Sequence, residues 1–64
     1  MAKKIAEKLW KMYLFREEAK GNYELYNLRN ARLSGAFDLA NAIGFKVFFN
    51  PLAEANENPF TIEE

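Results

Sequence analysis

The sequence predicts a mainly helical α+β fold: an antiparallel two-helix hairpin followed by a short β-hairpin or an extended tail, assembling as a dimer. Three observations carry this. Residues 2–20 and 23–43 are two long stretches with apolar residues at helical spacing and no proline. Only Lys20-Gly21-Asn22 separates them, a link so short that the helices must lie antiparallel as neighbours. After Gly44 the pattern changes to β-branched and aromatic residues.

The first helix, residues 2–20, is built from strong helix formers. Ile5, Leu9, Met12 and Ala19 fall on one line, flanked by Ala6, Trp10, Tyr13 and Leu14 on one side and Phe15 on the other. The polar arc, around Lys4, Glu7, Lys11 and Glu18, is narrow. A helix packed on one neighbour needs an apolar stripe of about 100°, and this one is nearly twice as wide. Trp10 and Leu14 are therefore expected to meet the C-terminal strands or another subunit.

Gly21 suits a left-handed C-terminal cap, and Asn22 suits the N-cap of the next helix, with Glu24 in its first turn where the helix dipole favours negative charge. The second helix, residues 23–43, ends at Gly44. Its broad apolar face holds Leu25, Leu28, Leu33, Ala36, Leu39, Ala40 and Ile43, opposite Asn27, Asn30, Ser34, Asp38 and Asn41. Counting back across the turn sets Leu9 near Leu33 and Ile5 near Phe37. Gly35 costs the helix about 1 kcal/mol relative to alanine, so it predicts a close helix approach, with Ala31 and Leu39 on the same stripe.

Phe45-Lys46-Val47-Phe48-Phe49 predicts a strand over residues 45–49. Asn50 is placed to cap a brief helix over residues 52–55 that starts at Pro51. Asn56-Glu57-Asn58-Pro59 reads as a turn, and residues 60–62 as a second strand paired with the first. A disordered tail is the alternative, but it would leave four of the six phenylalanines in water.

A single domain of 64 residues has a marginal core. With no cysteine and no histidine, neither a disulfide nor a zinc site of the usual ligands can supplement it. Ten aromatic residues in so short a chain favour a core completed by a second copy. The expected assembly is a homodimer in which two hairpins form a four-helix layer. Its candidate interface residues are Trp10, Leu14, Arg29, Arg32, Gly35 and Leu39.

Nine basic and nine acidic side chains cancel, which removes the long-range field of a typical nucleic-acid binder. Locally, Lys4, Lys8, Lys11 and Arg16 are the candidate contacts to an anion or nucleic acid. Arg16, Arg29 and Arg32 project from apolar faces. Each can serve an anion site, or snorkel at a rim and pair with Glu17, Glu18 or Glu24, and Arg32 is also placed to stack on Trp10.

No histidine base, cysteine nucleophile, phosphate-cradling glycine loop or carboxylate set at metal-binding spacing is present. Neither catalysis nor a cofactor is expected. Charged residues interrupt any signal-peptide core, and no apolar run approaches a membrane span of about 18 residues. Absent such segments, the expected location is the cytoplasm. The leading expectation is a non-catalytic homodimeric module that binds protein; the alternative is a small nucleic-acid-binding regulator.

Overall fold

A computed structural model describes all residues, 1–64. Helix α1 spans Ala2–Glu18 and helix α2 spans Tyr23–Ala42. Strand β1, Lys46–Phe49, and strand β2, Phe60–Glu63, then form one antiparallel two-stranded sheet. The two-helix, two-strand order follows the expectation, with boundaries moved by one or two residues at four of the eight element ends, where helices fray and strands taper.

Gly21 has φ +110°, and this left-handed conformation reverses the chain between the helices. Asn22 then starts α2: its side-chain oxygen accepts a hydrogen bond from the Leu25 N–H at 3.2 Å. An Asn22→Ala variant is expected to lose about 1 kcal/mol in urea denaturation. Wild-type stability in that variant would show that the cap does not contribute.

Helix α2 ends in a Schellman motif. The Phe45 N–H donates to the Ala40 carbonyl at 3.0 Å and the Gly44 N–H to the Asn41 carbonyl at 3.1 Å, with Gly44 at φ +99°. Phe45 and Ala40, brought together by this motif, are both buried. The chain leaves the helix turned back toward the hairpin it must cover.

In the sheet, Val47 pairs with Ile62 and Phe49 with Phe60 on the face turned to the helices; Lys46 with Glu63 and Phe48 with Thr61 lie on the outer face. Strand β2 packs on α1 and β1 on α2. The core is Leu9, Leu33 and Phe60, with Ile5, Trp10, Met12, Tyr13, Ala36, Phe37, Val47 and Ile62 around it. The expected level of Leu9 with Leu33 is therefore correct. The Phe60 ring lies 5.8, 5.6 and 5.3 Å from the rings of Tyr13, Phe37 and Phe49, spacings that suit tilted aromatic packing.

Two local expectations for the loop are corrected. Residues 52–55 form no helix: the Asn50 side chain accepts from the Leu52 N–H at 3.0 Å, which makes a turn, and the chain then runs on irregularly. The tight turn expected at residues 56–59 falls earlier, closed by the Glu57 N–H on the Glu54 carbonyl at 2.9 Å. Asn58 has a different task. Its side-chain nitrogen donates to the Ala6 carbonyl at 3.1 Å and its oxygen accepts from the Phe60 N–H at 2.9 Å, which pins the start of β2 to α1.

Candidate protein-association surface

The hairpin covers one face of the helix pair and leaves the rest of it open. Trp10, Tyr13, Leu14 and Glu17 line a depression together with Phe49 and residues of the 50–59 loop, including Pro51, Ala53 and Pro59. Trp10 is half-buried beside the C-terminal segment, whereas Leu14, which lines the same depression, stays 44% exposed.

The arginines divide. Arg16 Nη1 donates to Asn30 Oδ1 at 2.9 Å, Nη2 lies 3.3 Å from Glu17 Oε2, and the guanidinium carbon sits 4.9 Å and 5.1 Å from the ring centroids of Tyr13 and Tyr26. Arg29 Nη1 donates to the Phe15 carbonyl at 2.6 Å, its guanidinium carbon lies 3.5 Å from the Phe15 ring centroid, and Glu18 is 3.8 Å away. In both, Nε is buried without a hydrogen-bond partner. These two arginines clamp α1 to α2 by snorkelling and pairing at the rim. Arg16 is thereby separated from the lysines with which it was grouped.

Arg32 differs. It is exposed, makes no ion pair and lies over no aromatic ring; the expected stack on Trp10 does not form, because Trp10 faces the C-terminal segment. Gly35 is also exposed. A Cβ built there would meet nothing within 4 Å, so no close helix approach occurs at Gly35 inside the chain. Leu28 and Leu39 are 55% and 64% exposed.

Gly35 and Leu28 share the outer flank of α2 with Ala31, Asp38 and Ala42, all exposed, while Arg32 and Leu39 stand at the edge of that flank and also line the groove between α1 and α2. Their order is palindromic about Gly35. Three positions before it stands Arg32 and three after it Asp38; four before, Ala31 and four after, Leu39; seven before, Leu28 and seven after, Ala42. Large faces small, and plus faces minus, across the glycine. The sequence signal for Ala31, Gly35 and Leu39 was their shared stripe; Asp38 and Ala42 needed the symmetry about Gly35 to be noticed.

Lys4, Lys8 and Lys11 lie on the other helix, along a groove between α1 and α2 on the face turned away from the sheet. None of the three makes an ion pair. No three acidic side chains stand close enough together to share an ion, and no helix is long and apolar enough to cross a membrane. Comparison of the chain with protein-family models, curated proteins and solved structures gives no match.

Proposed function

We propose that this protein is a non-catalytic association module that works as a homodimer, two copies pairing antiparallel along α2 about a two-fold axis at Gly35. The observation that carries the reading is the palindromic flank. Antiparallel pairing about that axis sets Arg32 of one copy level with Asp38 of the other, Leu28 with Ala42 and Leu39 with Ala31. Each pairing joins opposite charges or a large side chain to a small one, and Gly35 meets Gly35 where the helices come nearest. The result is a four-helix layer in the order α1, α2, α2, α1.

The surface area supports it. A compact monomer of 7.4 kDa is expected to expose about 4,200 Å², whereas this chain exposes 4882 Å². The difference is close to the ~800 Å² that one partner buries in a standard interface. A radius of gyration of 11.8 Å, against about 10.7 Å for a compact chain of this length, describes the same excess.

Gly35→Leu tests the reading, because the two states respond with opposite sign. Open space at Gly35 lets the folded monomer accept the side chain, and leucine favours the helix by roughly 0.8 kcal/mol over glycine. At the proposed axis the same side chain keeps the helices apart. The variant is expected to melt no lower than the wild type under dilute monomeric conditions and to elute as a monomer at concentrations where the wild type is dimeric. A variant that dimerises normally rejects the axis.

The nucleic-acid reading through Lys4, Lys8, Lys11 and Arg16 is the weaker one. Arg16 is committed to Asn30 and Glu17, and Trp10 and Tyr13, which could stack on bases, face the sheet side.

A further inference from the structure

We propose that the groove between the helices, on the face turned away from the sheet, binds an acidic amphipathic helix of a partner protein. The floor of one end is apolar, formed by Ile5, Leu9, Ala36 and Ala40 with Leu39 and Ile43 exposed at its edge, and no residue beyond Ile43 lines it. The chain therefore offers no cover of its own. A wall of lysines, Lys4, Lys8 and Lys11, runs along α1 beside this floor at helical spacing. The lining contains no carboxylate.

The neutral total conceals a segregation of charge. Residues 1–16 hold five basic side chains and one acidic, whereas residues 50–64 hold four acidic and none basic. A second copy laid groove to groove would set lysine against lysine, which opposes that pairing. A membrane surface would take a broad apolar ridge standing outward; here Leu39 and Ile43 form an exposed rim, but Leu9 and Ala40 are buried below it, which makes the apolar surface a groove. A helix fits both features. Its apolar stripe at i, i+3/i+4 and i+7 can enter the floor while glutamates or aspartates on its shoulder meet the lysines. At 1.5 Å per residue, a helix of about 18 residues matches the length of α1.

Two synthetic peptides of about 18 residues test this, both with leucine at those stripe positions, one with glutamate and the other with lysine elsewhere. Fluorescence anisotropy with the full chain is expected to give binding of the glutamate peptide at least tenfold tighter than of the lysine peptide, weakening as salt rises. The triple variant Lys4→Glu, Lys8→Glu, Lys11→Glu alters only exposed positions, and its circular dichroism is expected to match the wild type. Its preference between the peptides should invert. Equal binding of both peptides, binding of neither, or an unchanged preference in the triple variant overturns the proposal. So does displacement of the glutamate peptide by generic duplex DNA or by phosphatidylglycerol vesicles. Running the same titration on monomeric Gly35→Leu separates this groove from the dimer: the peptide preference persists there even if the α2 pairing is wrong.

Discussion

Replacing Phe60 by alanine removes about 3–5 kcal/mol of stability. Phe60 is 4% exposed and is the one buried side chain through which the sheet joins Leu9 and Leu33 in the core. Three aromatic rings, from α1, α2 and β1, pack against it. A chain of this length has roughly 3–10 kcal/mol of stability in total, so the loss is comparable to the whole. Phe48, on the outer face of the same sheet and half exposed, provides the contrast: Phe48→Ala is expected to cost under about 1 kcal/mol. Urea denaturation followed by circular dichroism checks both. Near-equal costs for the two would mean that the C-terminal hairpin does not complete the core.

Reversing one charge on the α2 flank weakens the dimer by about fourfold to several hundredfold, and reversing its counterpart as well restores it. The two-fold axis makes each substitution act twice. Arg32→Asp replaces two exposed attractions of about 0.2–1 kcal/mol each with two repulsions of similar size, and each 1.4 kcal/mol is tenfold in affinity. Asp38→Arg has the same effect by the same route. In the double variant the pairs are rebuilt with their ends exchanged, and the dissociation constant is expected to return to within about threefold of the wild type. Sedimentation velocity of the four proteins measures it. Additive weakening in the double variant would mean that Arg32 and Asp38 do not face each other.

Much of the architecture could be read directly from residue types. Gly21, Asn22 and Gly44 each had one conformational role to play, and the helix ends followed from them. The strands were legible because Phe45 to Phe49 and Phe60 to Ile62 could not be left in water. Where the reading failed, it failed on tertiary detail. The capping habit of Asn50 suited a helix, but a ten-residue connection that must return to Phe60 used the same side chain for a turn. Gly35 signalled a close approach, yet nothing inside the chain shows where a second helix would come from, since α1 lies on the opposite side of α2. Arg16 and Arg29 looked alike to Arg32 on a helical wheel. Only the antiparallel alignment brought Asn30 and the Phe15 carbonyl within reach of the first two and left the third free.

The open surface of α2 is thus the feature on which the functional account turns, and mass in solution tests it most directly. Sedimentation equilibrium of the native chain, from low micromolar to near-millimolar concentration, is expected to show a monomer–dimer equilibrium that rises from 7.4 kDa toward twice that mass. A mass of 7.4 kDa across the whole range, for a chain shown to be folded by its circular dichroism, would contradict the account.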